Sequence, residues 1–153
     1  FNPMKKIKIT PIALFALLAL AFTFLSFTSN MAKDPWTEKQ LMQPADLVKI
    51  FENGNKPTTY VYSVGPAALI KNSIDIGEGR NPANVAKLKA QVSKLPKDAS
   101  IVIYCGCCPF VNCPNIRPAF NLLNEMKFTN HKLLNLPKSL KADWIDKGYP
   151  LNE

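Results

Sequence analysis

Short apolar runs that are typical of β-strands recur along this chain after a polar lead-in at residues 34–43. The runs at residues 58–64 and 131–136 are rich in β-branched, aromatic or other apolar residues, and residues 70–76 form a shorter alternating run. Residues 101–104 are apolar without interruption, as expected for a strand that is buried on both faces. The pattern therefore predicts four strands.

Segments with helical spacing separate these strands. Asn81 and Pro82 predict a helix start, because an asparagine side chain accepts a hydrogen bond from the first turn and proline suits the first helical position. Leu47 opens an i, i+3, i+4 apolar pattern that also indicates a helix. The predicted helices follow Pro44, begin at Asn81 and end before Pro96, cover about 118–127, and surround Trp144. Such alternation is typical of an α/β domain with a mainly parallel sheet.

The first 32 residues predict export. Met4 is followed by three lysines, and residues 9–32 carry no charge, which is the pattern of a secretory signal. The same stretch is long enough to stay as a membrane anchor, since a span needs about 20 apolar residues. We therefore expect a signal peptide, or alternatively an anchor, at residues 1–32 and one folded domain at residues 33–153. That domain is expected in the periplasm or another extracytoplasmic space, soluble after cleavage or held by residues 9–32.

Length and charge limit the number of domains and the classes of binding partner. The chain has 153 residues, which suits one ordinary domain, and a formal net charge of +8. Without the three lysines of the leader, residues 33–153 hold 16 lysines and arginines against 11 acidic residues, a net charge of +5. These basic residues are scattered rather than interleaved with aromatic residues, so nucleic-acid binding has no support.

All four cysteines of the chain lie within nine residues, which is the most unusual feature of the sequence. A fold held by disulfides would spread its cysteines along the chain, so this cluster indicates local chemistry, metal binding or a loop clip. The only histidine, His131, excludes zinc sites built from several histidines, and it is interpreted as a surface or hydrogen-bonded residue. The four positions are Cys105, Cys107, Cys108 and Cys113.

Cys105 stands where an α/β fold places reactive groups. It comes directly after the predicted buried strand, and ligands of open α/β sheets bind beyond the carboxyl ends of the strands. The loop then leads into a predicted helix, whose N-terminus stabilises negative charge. A cysteine in that setting has a lowered pKa and is a better nucleophile near neutral pH. Cysteine phosphatase chemistry is not expected, because no arginine stands six positions after any of the four cysteines.

Four segments of the chain resemble the rhodanese family. They are residues 101–105, as the strand that ends in the nucleophile, 117–123, 128–136, and 143–150 with its tryptophan and Gly-x-Pro ending. The resemblance covers roughly residues 40–152. It implies a three-layer fold with helices on both faces of the sheet, and sulfur transfer without a metal cofactor.

The resemblance also implies roles for particular residues. Cys105 would accept a sulfane sulfur from a donor such as thiosulfate or a persulfide, hold it as a persulfide against loop amides, and pass it to cyanide or a thiol. The family's usual loop is shorter and has one cysteine, whereas this loop has four, so Cys113 is an alternative nucleophile. Arg117 is a candidate for binding an anionic donor, or is otherwise a solvated or capping residue.

The three additional thiols leave several hypotheses open. Cys107, Cys108 and Cys113 are candidates for resolving thiols that relay a persulfide or form a disulfide with Cys105, which would also suit a thiol–disulfide redox protein. All four thiolates together would suit copper(I) or zinc, although the C-x-C-C-x4-C spacing matches no standard zinc pattern. Asn115 is predicted to cap a helix rather than to contact substrate, and Trp144 is predicted to lie in the core.

Overall fold

The structure is a computed structural model that describes residues 34–54 and 58–153. The described residues contain one sheet of five strands in the order β1-β5-β4-β2-β3, and every neighbouring pair is parallel. The strands are β1 (Leu41–Met42), β2 (Thr59–Ser63), β3 (Ser73–Asp75), β4 (Ser100–Tyr104) and β5 (His131–Leu134). The predicted α/β class with a mainly parallel sheet is confirmed.

Four α-helices accompany the sheet in the described part of the chain. They are α1 (Pro44–Glu52), α2 (Pro82–Val92), α3 (Ile116–Glu125) and α4 (Leu140–Asp143). Short 3₁₀ turns occur at Glu38–Gln40, Phe110–Asn112 and Ile145–Lys147. No helix among these residues is both long enough and apolar enough to cross a membrane. The predicted signal peptide or anchor at residues 1–32 lies outside the described residues.

Two hydrophobic cores lie on opposite faces of the sheet, because successive side chains of a strand point to opposite sides. In β4, Ile101 and Ile103 belong to one core, whereas Val102 and Tyr104 belong to the other. Helices α2 and α3 contribute buried residues to the first core, and α1 and α4 contribute to the second. The uninterrupted apolar run of β4 is thus explained by burial on both faces, as the sequence predicts.

The local signals of α2 act as the sequence predicts. The Asn81 side chain accepts a hydrogen bond from the backbone N–H of Ala83 at 3.0 Å, and Pro82 occupies the first turn. The predicted helix after Pro44 is confirmed as α1, and Gly54 follows it with a positive φ of 72°. The Asn81 cap and Pro82 therefore locate α2, whereas Pro44 and the apolar spacing that starts at Leu47 locate α1.

Other boundaries differ from the predictions. Residues 34–43 are not a plain lead-in, because Leu41 and Met42 form the parallel edge strand β1 beside β5. Two residues are too short to show an alternating pattern, so the sequence carries no signal for this strand. The predicted strand at 70–76 contracts to β3, since Asn72 has a positive φ of 62° just before it. Helix α3 begins at Ile116, two residues before the predicted start.

The helix predicted around Trp144 is interrupted there. Helix α4 ends at Asp143, and Trp144 itself has a non-helical backbone before the next 3₁₀ turn. Its side chain is nevertheless fully buried, which confirms the predicted core position, and its indole N–H donates to the Pro150 carbonyl at 3.0 Å. Burial of the ring and the hydrogen bond of its N–H therefore outweigh the local helical spacing, and the helix is interrupted at Trp144.

Candidate active site

The carboxyl ends of β4 and β2 meet at the cysteine loop. Cys105 is the residue directly after β4, and the backbone N–H of Val64, just after β2, donates to the Tyr104 carbonyl at 2.9 Å. Gly65 then passes so close that a Cβ atom at this position would lie 2.9 Å from the Cys105 sulfur. Only glycine leaves room for the thiol at this crossing point.

The rest of the loop is fastened to the polypeptide that follows β5. The N–H of Phe110 donates to the Leu136 carbonyl at 3.3 Å, and the N–H of Leu140 donates to the Gly106 carbonyl at 3.2 Å. Gly106 also packs against Leu140, since an added Cβ would lie 2.5 Å from the Leu140 Cβ. These contacts hold the loop on both sides of Cys107 and Cys108.

Three thiols come together at this site. The Cys107 sulfur lies 3.2 Å from that of Cys105 and 3.9 Å from that of Cys113, and all three sulfurs lie within 4.8 Å of one another. Cys105 and Cys113 are buried, with 1% and 0% of their surfaces exposed, whereas Cys107 is exposed. Cys108 is half-buried and touches Cys107 at 3.3 Å, but it does not belong to the group of three.

Cys105 is the thiol that this environment ionises. A hydrogen bond from Cys113 is the largest influence, and together with donation from the Cys107 N–H and side chain and from Asn115 it lowers the pKa of Cys105 to about 5. Burial opposes this shift but is outweighed. At neutral pH the cluster therefore holds a thiolate at Cys105, which is the nucleophilic form of cysteine.

The neighbouring thiols stay protonated for complementary reasons. Partial desolvation of its sulfur, followed by the hydrogen bonds to Cys105 and Cys108, raises the pKa of Cys107 to about 12, although the residue as a whole is exposed. The pKa of Cys113 is also raised, chiefly because its S–H is donated to Cys105. One negative charge is thus concentrated on Cys105 and stabilised by two S–H groups. This distribution favours Cys105 over the alternative nucleophile Cys113, which is fully buried.

Asn115 has a different role from the predicted one. It occupies the residue before α3, but its side chain makes no capping bond to that helix. The amide Nδ2 instead donates to the Cys105 sulfur at 3.5 Å, and the amide Oδ1 accepts from the N–H of Arg80 at 3.2 Å. Asn115 directly precedes α3, so this side-chain contact joins the Cys105 sulfur to the residue before that helix.

Gly79 makes the placement of Asn115 possible. A Cβ atom at residue 79 would lie 2.1 Å from the Asn115 carbonyl oxygen, so a larger residue would push the start of α3 away. In the sequence, Gly65 directly follows the first predicted strand (58–64), and Gly79 stands three residues after the second (70–76). Their common position after strands of one parallel sheet was the available signal that both border the site.

Arg117 is occupied by structural contacts. Its guanidinium pairs with Asp34, donates to the Val111 carbonyl at 3.0 Å, and lies over the Trp36 ring with 5.2 Å between the guanidinium carbon and the ring centroid. The residue therefore links the start of the described domain to the cysteine loop. Binding of an anionic donor by Arg117 stays a prediction.

His131 lies away from the thiols, at the start of β5. Its ring is 3% exposed, and Nε2 is 2.9 Å from the Asn124 Oδ1 and 3.2 Å from the Gln40 Nε2. Burial is the main cause that lowers the pKa of His131. The surface alternative of the sequence interpretation is wrong, and the hydrogen-bonded alternative holds for Nε2 only, since the buried Nδ1 has no partner among the described residues.

The group of three sulfurs fits a soft metal by donor chemistry. Thiolates select copper(I) and zinc, but a structural zinc ion is usually held by four ligands in tetrahedral geometry. Cys108 stands outside the group formed by Cys105, Cys107 and Cys113, so these sulfurs suit a three-sulfur copper(I) site better than the four-cysteine copper(I) or zinc site that the sequence leaves as an alternative.

Comparison with known proteins does not assign this chain to a family. No protein-family model matches the chain, and no curated protein matches it. The chemistry of this chain is therefore inferred from its own residues: a buried thiolate at the end of a central strand, two S–H donors, and an asparagine amide.

Proposed function

We propose that the protein is a rhodanese-like sulfurtransferase or persulfide carrier that uses Cys105 as its nucleophile. The observation that carries the proposal is the lowered pKa of Cys105, about 5, at the carboxyl end of the central strand β4. A thiolate held there can attack a sulfane sulfur at neutral pH without a separate general base. The sequence resemblance described above points to the same chemistry.

The transfer balances without a cofactor. With thiosulfate as donor, the Cys105 thiolate attacks the outer sulfur, a new S–S bond forms, and the S–S bond of thiosulfate breaks with release of sulfite. Cyanide then attacks the outer sulfur of the Cys105 persulfide, thiocyanate forms, and the Cys105 thiolate is restored. The thiol groups of Cys107 and Cys113 and the Asn115 amide are positioned to donate hydrogen bonds to the Cys105 sulfur in the free thiolate.

Two further features fit this proposal. The net charge of +5 on residues 33–153 favours the approach of anionic donors such as thiosulfate. Export from the cytoplasm, proposed from the sequence of residues 1–32, would place the reaction in the periplasm or at the outer face of the membrane.

Turnover with thiosulfate and cyanide tests the proposal directly. The reduced protein is expected to form thiocyanate, and mass spectrometry of the loop peptide after loading is expected to show an increase of about 32 Da, one sulfur atom, at Cys105. Cys105→Ser should abolish both signals, whereas Cys113→Ser should retain the mass increase. Absence of thiocyanate together with absence of bound sulfur, with thiosulfate and with inorganic polysulfide, would contradict the proposal.

A thiol–disulfide redox protein is the second candidate, favoured by the 3.2 Å contact between the sulfurs of Cys105 and Cys107. A thiolate that attacks and a neighbouring thiol that resolves are the two components of disulfide exchange. Thiol counting before and after mild oxidation, with an insulin-reduction assay, separates this candidate from the first. Reversible loss of two thiols with insulin reduction, and no sulfur loading, would favour it.

A copper(I) carrier is the remaining alternative from the sequence, and the compact group of Cys105, Cys107 and Cys113 keeps it open. Elemental analysis of protein prepared without oxygen distinguishes it. Stoichiometric copper or zinc, lost from a Cys107→Ser variant, would support metal binding, and absence of both metals would remove this alternative.

A further inference from the structure

The Cys105 sulfur has several buried neighbours and one exposed neighbour in the described part of the chain. Gly65, Cys113 and Asn115 all lie near this sulfur, and all three are buried. Cys107 is the exposed member of the set, with its sulfur 3.2 Å away. Among these thiols, Cys107 is therefore the one that a large acceptor in solvent can reach.

We propose that Cys107 is the exit thiol of the site, which takes the sulfane sulfur from Cys105 and delivers it to external thiol acceptors. This inference rests on the proposed sulfur transfer and adds its acceptor class and its route. Small anions such as thiosulfate and cyanide reach Cys105 when the Cys107 side chain turns aside. Larger acceptors, such as glutathione or a protein thiol, meet the sulfur on Cys107.

The internal step conserves atoms and charge. The Cys107 sulfur attacks the outer sulfur of the Cys105 persulfide anion, a new S–S bond forms at Cys107, and the S–S bond at Cys105 breaks. The electron pair of the broken bond stays on Cys105 as its thiolate, and the proton lost by the Cys107 thiol ends on the transferred sulfur. An external thiol then takes that sulfur in the same manner and returns its proton to Cys107.

The chemistry of the two thiols suits this order. A thiolate of low pKa is a good leaving group, and the pKa of Cys105 is about 5. The pKa of Cys107 is raised to about 12, first by desolvation and then by its hydrogen bonds to Cys105 and Cys108, so Cys107 does not compete with the Cys105 thiolate for the donor. Loading at Cys105 followed by passage to Cys107 is the order that these properties support.

The geometry requires only a modest movement of an exposed side chain. A sulfur atom in line between Cys105 and Cys107 with two bonds of disulfide length would set their sulfurs about 4 Å apart. They are now separated by 3.2 Å, and Cys107 is free to move outward because it faces solvent. Cys113 is fully buried and cannot present sulfur to a large acceptor.

Single-turnover transfer from loaded protein tests the inference. The reduced full chain is loaded with thiosulfate, freed of excess donor, and mixed with either glutathione or cyanide. Glutathione persulfide and thiocyanate are measured over time, and alkylated loop peptides show which cysteine carries the sulfur. In Cys107→Ser the ratio of the glutathione rate to the cyanide rate should fall at least tenfold. Val111→Ser, at an exposed apolar position of the same loop, should keep the wild-type ratio.

The outcomes separate this inference from the proposed function. Transient sulfur on Cys107 of the wild type, with the expected fall in ratio, supports the exit route. If Cys107→Ser loads sulfur and its ratio stays within twofold of wild type, the exit route is wrong and the sulfurtransferase stands. If Cys108→Ser rather than Cys107→Ser loses glutathione transfer, the exit thiol is misassigned. If the wild type loads no sulfur at all, both proposals fail.

Discussion

The side-chain amide of Asn115 donates a hydrogen bond to the sulfur of Cys105 at 3.5 Å, from the residue directly before helix α3. The amide is held in this orientation because its oxygen accepts from the backbone N–H of Arg80 at 3.2 Å. The side chain of Asn115, which the sequence suggests as a helix cap, therefore stabilises the thiolate instead of the helix end. This relationship ties the ionisation of Cys105 to the polypeptide that follows β3.

Removing that amide should make the thiolate less stable. A net hydrogen bond contributes about 1 kcal/mol, so Asn115→Ala should slow alkylation of Cys105 at pH 5 by roughly threefold, since more of the thiol is protonated. Peptide mapping of the alkylated loop measures this rate. Asn121→Ala, at an exposed position of the same helix, is the matched control. Equal rates in the two variants would mean that the Asn115 contact does not stabilise the anion.

The pH dependence of sulfur loading should follow the ionisation of Cys105. Because its pKa is lowered to about 5, loading should be nearly constant from pH 6.5 to 8 and fall as the pH drops through about 5. Cys113 makes the largest lowering contribution, so Cys113→Ala should move the midpoint toward the ordinary value of 9.0. Cys113→Ser keeps a donor and should shift the midpoint less.

Loading rates measured over a pH series provide this test. At pH 6.5, Cys113→Ala should load at least tenfold more slowly than Cys113→Ser, because only a small fraction of its Cys105 is ionised. A midpoint near pH 5 in all three proteins would show that the Cys113 hydrogen bond does not set the ionisation.

Gly65 should tolerate no side chain. An added Cβ would lie 2.9 Å from the Cys105 sulfur and 3.3 Å from the Gly106 nitrogen, so Gly65→Ala must displace the thiol or the loop. Overpacking of this kind costs about 1–3 kcal/mol, and sulfur loading should fall at least tenfold. Thermal unfolding and loading rates are compared with Pro66→Ala, at the exposed neighbouring position. Wild-type loading by Gly65→Ala would contradict the close approach described here.

Substitution of Arg117 distinguishes a structural role of its side chain from a role in binding an anionic donor. Its contacts with Asp34, Trp36 and the Val111 carbonyl are partly exposed, so Arg117→Ala should lower the stability of the protein by roughly 1 kcal/mol. We expect the KM for thiosulfate to change by less than twofold. A tenfold rise in KM without a loss of thermal stability would instead support the anion-binding role predicted from the sequence.

The predictable parts of the fold are those with strong local signals. Asn81 and Pro82 locate the start of α2, and the apolar run at β4 predicts a strand buried on both faces. The edge strand β1 escapes prediction because it has two residues and depends on pairing with β5. Trp144 interrupts its predicted helix because burial of the ring outweighs local spacing.

The candidate site, like the fold, has features that the sequence predicts and features that it does not. The four clustered cysteines and the position of Cys105 after a buried strand are visible in the sequence, since the chain order alone places them. The different roles of the thiols are not visible in the sequence. Cys107 is exposed whereas Cys105 and Cys113 are buried, and the exposure of each thiol depends on residues distant in the chain. Gly65 and Gly79 depend in the same way on neighbours distant in the chain, because they lie against Cys105 and Asn115.

The sequence by itself determined the α/β class, the leading candidate nucleophile and the cluster of thiols around it, because periodicity, capping and order along the chain are local properties. Tertiary structure alone decided which thiol carries the charge. That outcome depends on the Cys113 and Cys107 S–H groups and the Asn115 amide converging on one buried sulfur. Electrostatic stabilisation of a thiolate falls steeply with distance, so it is set by the packing of three segments and not by their spacing in the chain.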